Sequence, residues 1–172
     1  PIRLDFLDKD SKFDTLLGKV IDIKKNDLVF FDRFNEVINL AGVVGSNNTS
    51  CSNNTKSIIV ECAHFDSELI MGKSVRYGIN SDAAHKFERN VDPCCHEYVL
   101  RRFLYIIQEH TNITNVQIFT KKYSQSKSNL IKFNSDKIND ILGTNISADV
   151  SQNYLMKLGF TFTDNYIEIP SY

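Results

Sequence analysis

Through the first 45 residues, short apolar runs return roughly every eight to twelve residues, and a charged residue or a glycine ends each one. Ile2-Arg3-Leu4-Asp5-Phe6-Leu7 alternates at its start and is broken by Asp8-Lys9-Asp10. Residues 13–17 end at Gly18, Val20-Ile21-Asp22-Ile23 at Lys24-Lys25-Asn26-Asp27, and Leu28-Val29-Phe30-Phe31 at Asp32. Val37-Ile38-Asn39-Leu40-Ala41 then runs into Gly42. This rhythm predicts short strands in a sandwich-like or mixed sheet. No run approaches the roughly 18 apolar residues of a membrane helix, so no membrane partner is expected. The N-terminal residues lack the basic, apolar and small-residue order of a secretion signal.

The 172 residues suit one ordinary domain or two small ones. Twenty basic and 21 acidic side chains leave a net charge of -1, which offers no global field for gripping nucleic acid. The four cysteines, at 51, 62, 94 and 95, contain no C-x-x-C. Cys94-Cys95-His96 resembles half a metal site, but the partner half of a tetrahedral set is missing. Free thiols in a reducing compartment are expected, and with them a cytoplasmic location and no metal in this chain.

Residues 45–57 are small, polar and unpatterned, and read as a loop. Ser57-Ile58-Ile59-Val60-Glu61-Cys62-Ala63 reads as a buried strand carrying one acid. Helical signals follow. Asp66 or Ser67 can cap a helix running to Tyr77 with Gly78 as its stop. Ser81 or Asp82 can cap another, with Asn90 as a left-handed terminator. Asp92-Pro93 opens a third, in which Val99, Leu100, Phe103, Leu104, Ile106 and Ile107 recur at helical spacing. Val116-Gln117-Ile118-Phe119 reads as a strand.

Residues 121–129 are polar and unpatterned and read as a linker, although Lys121-Lys122 could touch a nucleic-acid backbone. Beyond them lies a compact unit. It has a strand at 130–133, a helix capped by Ser135 and ended by Gly143, and a helix capped by Ser147 and ended by Gly159. A hairpin then turns around Thr163-Asp164-Asn165. Two small helices beside a hairpin resemble winged-helix modules. Four lysines, no arginine and five acids across 126–172 argue against DNA binding as its task.

Two constellations invite chemistry. Ser81, Asp82 and His85 suggest a hydrolytic triad, but one helical turn seldom gives triad geometry, and capping explains Ser81 and Asp82 better. Glu61 follows three β-branched residues. It either points to solvent at a strand edge or serves as a pocket acid that hydrogen-bonds a ligand, since burying an unpaired acid is costly.

Three blocks carry a resemblance. Ala41-Gly42-Val43-Val44-Gly45, then Val60-Glu61-Cys62-Ala63-His64-Phe65, then the run from Ser81-Asp82-Ala83-Ala84-His85 through Phe87-Glu88-Arg89-Asn90-Val91-Asp92-Pro93 resemble bacterial phenylalanyl-tRNA synthetase β subunits. The family's versions read roughly A-G-[VI]-M-G-G, L-E-x-A-x-F and [ST]-D-A-S-x-R-F-E-R-G-V-D-P. The tail, with Leu155-Met156-Lys157-Leu158-Gly159-Phe160, resembles the next domain of that subunit. The resemblance implies an α+β chain. Residues 1–125 would be an N-terminally truncated B3/B4 editing domain with a mixed α/β fold and a β-sandwich-like core. Residues 126–172 would be a small winged-helix-like B5 domain.

The implied activity is hydrolysis of tyrosine wrongly esterified to tRNA(Phe), with water as nucleophile. The implied partners are the synthetase α subunit, in a heterotetramer, and tRNA(Phe). ATP and magnesium would serve the whole enzyme, and this chain would hold no cofactor. Glu61 matches the acid that reads the tyrosine phenol, Gly45 a pocket glycine, and Ala83 a small pocket-wall residue. Ser81 matches a residue near the ester that positions water or the carbonyl. The chain departs from the pattern at Ser46 and Asn90, where the family has glycine. It has no match for the family's editing histidine, which lies in a more N-terminal segment. A non-catalytic structural or tRNA-contacting module is the alternative.

Overall fold

A computed structural model describes residues 2–123 and 129–172. The chain divides into two compact units, Pro1–Val91 and Asp92–Tyr172. The domain boundary expected at 125/126, inside the linker, lies outside the described residues.

In the first unit, β1 (Arg3–Phe6), β4 (Leu28–Phe31), β5 (Val37–Leu40) and β6 (Val44–Gly45) form an antiparallel sheet in that spatial order. The hairpin of β2 (Ser11–Asp14) and β3 (Val20–Ile23) forms a second sheet. A bridge between Thr15 and Ser46 links the two. The alternation read in the sequence decides what is buried. Ile21 and Ile23 point inward while Val20 and Asp22 face out, and Leu28, Val29 and Phe31 of the apolar run are buried. Phe13, Ile23, Val29, Phe31 and Leu40 from both sheets meet Phe65, Ile70, Tyr77 and Ala84 in one core.

Three short helices cover this unit: α1 (Ser67–Ile70), α2 (Lys73–Tyr77) and α3 (Asp82–Phe87). The single helix expected from Asp66 to Tyr77 is therefore two. Met71 leaves helical geometry and Gly72 sits in the left-handed region, φ 76°, which glycine adopts freely. Asp66 caps α1, and Gly78 ends α2 in the left-handed conformation, as expected. A buried ionic network then pins α2. The Asp27 carboxylate lies 3.1 Å from Lys73 Nζ, accepts the Lys24 amide at 2.9 Å and accepts the Tyr77 hydroxyl. Lys19 Nζ donates to the Tyr77 carbonyl at 2.7 Å, completing the helix end.

Residues 57–63 do not form the expected buried strand. They are coil, and Ile58, Ile59 and Val60 are exposed, Ile59 at 80%. A β-branched run favours extended backbone, but a strand also needs a pairing partner, and no described strand supplies one. The same holds for 116–119, which are exposed coil rather than a strand. Of the two departures from glycine, Asn90 adopts φ 63°, which asparagine tolerates. Ser46 sits at φ −79°, so the backbone freedom expected to matter there is not required.

In the second unit, α4 (His96–His110) begins after Cys95, three residues later than the Asp92-Pro93 signal suggested. Asp92 instead accepts the Cys94 amide in a turn at 2.8 Å. Next come β7 (Asn129–Lys132), α5 (Ser135–Leu142), α6 (Ala148–Lys157), β8 (Thr161–Thr163) and β9 (Tyr166–Ile169), with the strands ordered β7-β9-β8. Asn134 rather than Ser135 caps α5, its side chain accepting the Lys137 amide at 2.9 Å. Ser147 caps α6, Gly143 ends α5 in the left-handed region, and Asp164 turns the hairpin at φ 53°.

Candidate functional site

The four-stranded sheet sets one row of residues side by side. Leu4 pairs with Phe30, Phe30 with Asn39, and Asn39 with Gly45. Directly opposed residues share a face, so all four belong to one side of the sheet. Aromatic rings close over that side. Phe65 meets Phe30 edge-on at 6.2 Å and Phe87 of α3 at 5.0 Å. Gly42, at φ 69°, lets the chain turn beneath them. A Cβ there would lie 3.0 Å from Ile70 and 3.2 Å from Phe65.

Gly45 behaves differently, because a Cβ added there would meet nothing within 4 Å. The sheet row therefore ends in open space. Beside it, Asn39 Oδ1 is buried and has no hydrogen-bond partner among the described residues. Glu88 Oε1, just past α3, is likewise buried and unpartnered.

Ser81 is tied to the same turn. Its Oγ donates to the Val43 carbonyl at 2.7 Å and accepts the Ala84 amide at 3.1 Å, capping α3. A serine hydroxyl has one proton and two lone pairs, so these bonds leave one lone pair for an outside donor. His85 instead approaches Arg89 through Nδ1, at 3.1 Å. Ser81 and His85 do not form a nucleophile–base pair, and the capping reading of Ser81 accounts for its contacts. Ala83 is exposed on the first turn of α3, next to the buried Ala84.

Glu61 lies in the coil segment that leads to Phe65. Desolvation pushes its carboxyl from the usual 4.5 up to about 7. The residue as a whole is exposed, so the shift marks crowding of the carboxyl by protein atoms rather than a sealed pocket. No hydrogen bond or ion pair among the described residues joins Glu61 to Gly45, Ser81 or Ala83. The structure thus ties Ser81 through the Val43 carbonyl to the turn that leads into Gly45.

A groove of about 500 Å³ opens on the other face of the sheet. Phe31 and Val37, which oppose one another and alternate with the Phe30 row, line it together with Phe13, Ser46, Lys12 and Asp14. None of the four expected site residues reaches this groove. Sequence reading missed both the groove and Asn39. Only the strand register reveals Asn39, and pairing between strands leaves no local signal. Among the described residues, no three His, Cys, Asp or Glu side chains gather where they could hold a metal ion, and no helix is long and apolar enough to cross a membrane.

A small mixed domain, built from antiparallel sheets with short helices over one face and an open glycine at a sheet end, is the class these features define. The B3/4 domain family model matches residues 1–112, and the chain belongs to that family. Its sequence is similar to phenylalanine–tRNA ligase β subunits. The subunit of Protochlamydia amoebophila is 33% identical over 151 residues, covering 87% of this chain and 19% of the relative. That of Haemophilus ducreyi is 28% identical over 178 residues, covering 100% of this chain and 22% of the relative. That of Ureaplasma parvum is 27% identical over 150 residues, covering 87% and 18%. The chain spans about a fifth of the length of these curated relatives.

Proposed function

We propose that this chain supplies the editing pocket of a phenylalanine–tRNA ligase β subunit, in which tyrosine wrongly attached to tRNA(Phe) is hydrolysed from its ester. The observation that carries the reading is the open space at Gly45 on the sheet face whose end turn Ser81 holds through Val43. The side chain of the amino acid enters that space, with Ala83 on its margin. Glu61 hydrogen-bonds the phenol. Phenylalanine offers the carboxyl no such donor, so the contact favours tyrosine. Water attacks the ester carbonyl, the C–O bond to the ribose breaks, and the ribose oxygen takes up a proton. Ser81 positions water through its remaining lone pair, so rate comes from orientation rather than from a covalent intermediate. The α subunit and tRNA(Phe) are the partners. ATP and magnesium belong to aminoacylation elsewhere in the enzyme, and the setting is the cytoplasm. Residues 126–172 form the B5 domain in this reading.

The test is deacylation of Tyr-tRNA(Phe) by the assembled enzyme, wild type against Glu61→Ala. Hydrolysis by the wild type and its loss in the variant are expected, and equal rates would overturn the role of Glu61. One observation favours the alternative, a non-catalytic structural or tRNA-contacting module: the Ser81 proton is already donated to the Val43 carbonyl. Absence of hydrolysis by the wild type would establish that second reading.

A further inference from the structure

The proposed chemistry leaves the groove on the other face of the sheet unused. Its volume of about 500 Å³ falls in the range that holds small ligands. Arg3, Phe31 and Val37 stand in one row across β1, β4 and β5, and all three line it. The Arg3 guanidinium lies 4.4 Å over the Phe31 ring, is paired with Asp5, and reaches the Asn35 side chain at 3.4 Å. Of its five N–H donors, those two bonds leave three to spare, in a head group already held in place. Glu36, next to Val37, lines the groove from the far side of β4. Neighbouring strands lie about 4.8 Å apart, so β1 and β5 are separated by about 10 Å. Arg3 and Glu36 accordingly make no ion pair, and Glu36 has no side-chain hydrogen bond among the described residues.

The charges also say what kind of ligand fits. Three cations, Arg3, Lys9 and Lys12, and three carboxylates, Asp8, Asp14 and Glu36, line the groove. That balance favours neither a phosphate nor a polyamine, and it suits a molecule bearing one charge of each sign. We propose that the groove binds a free α-amino acid with an apolar side chain, its carboxylate on Arg3 and its ammonium on Glu36. The planar guanidinium matches a carboxylate with two parallel bonds, and the ammonium donates to the acid that no protein group has claimed. The apolar side chain lies along the floor formed by Phe31 and Val37. This site stands apart from the aminoacyl-ester reading given above and does not depend on it.

The experiment titrates the full 172-residue chain with L-phenylalanine and follows backbone amide shifts by NMR. Two further probes each lack one charge: 3-phenylpropanoate has no ammonium and 2-phenylethylamine no carboxylate. Phenylalanine should give saturable shifts at Phe31 and Val37, and each analogue should bind at least about 10-fold more weakly, the range for a hydrogen bond to a charged group. Glu36→Gln should weaken phenylalanine about 10-fold and leave 3-phenylpropanoate unchanged. Arg3→Gln should weaken both of these and leave 2-phenylethylamine unchanged. Equal affinity for the three probes overturns the proposal, because an apolar slot alone would produce it. Shifts confined to Gly45 and Asn39, no saturable shift at tens of millimolar, or variants that bind like the wild type overturn it too. Deacylation of Tyr-tRNA(Phe) is read separately on the assembled enzyme, so failure here leaves the editing reading where it was.

Discussion

Residues 1–91 close fifteen apolar side chains into one core, whereas among the described residues of 92–172 only Ile167 and Ser151 are buried. Both units nevertheless carry well-formed helices and strands. In the first, order comes from contacts distant in sequence, such as Asp27 with Lys73 and Ser81 with Val43. In the second it comes from neighbours. Caps at Asn134 and Ser147 hold the helix starts, and Asn139 bonds both the carbonyl and the amide of Ile146 at 2.9 and 2.8 Å. The 15 residues of α4 line up Leu100, Phe103, Leu104 and Ile107 on one stripe without fully burying any of them. Local bonds can shape an element, but helices of this length are marginal in water without packing. Regular secondary structure is thus a poor guide to where stability resides.

The largest effect should follow from breaking the ionic network of the first unit. Asp27→Ala leaves Lys73 buried without its counter-charge and should lower unfolding free energy by about 3–5 kcal/mol in a urea titration. Leu40→Ala, in the same core, should cost about 2–5 kcal/mol, while Ile141→Ala on the open face of α5 should stay within about 0.5 kcal/mol. Similar losses at both positions would erase the contrast between the units. Ser81→Ala should cost about 1 kcal/mol through the α3 cap, seen as faster amide exchange in residues 82–87.

A further effect concerns pH. Glu61 holds its proton more tightly folded than unfolded, so stability is fullest below about 4.5 and declines as pH rises through about 7. Glu61→Gln should remove that slope from a pH series of thermal melts. A slope of the same size in the variant would assign it to another group.

How much could be read in advance follows the same division. Caps and stops were legible because their chemistry is local. Ser81, Ser147, Gly78, Gly143 and Asn90 all sit where their side chains or backbone freedom demand. The strand Leu28–Phe31 was legible from its apolar run. The segments 57–63 and 116–119 carry the same signal and form no strand, because composition states a preference and a ladder needs a partner. Met71 and Gly72 split a helix that periodicity alone would continue. At the candidate site, Gly45 and Ser81 were singled out by motif alone. Asn39, with its Oδ1 unpartnered among the described residues, was not, since pairing between strands leaves no local signal.

The Asp27 network joins residues 50 positions apart, and between them runs the asparagine- and serine-rich stretch around 45–57. A chain already tied at both ends can grow in the middle at little expense, since doubling a flexible loop adds only about 0.6 kcal/mol of closure entropy. Its exposed part, residues 50–57, is therefore where an inserted tag, a fluorophore or a protease site can be carried without touching the Gly45 and Ser46 pairings.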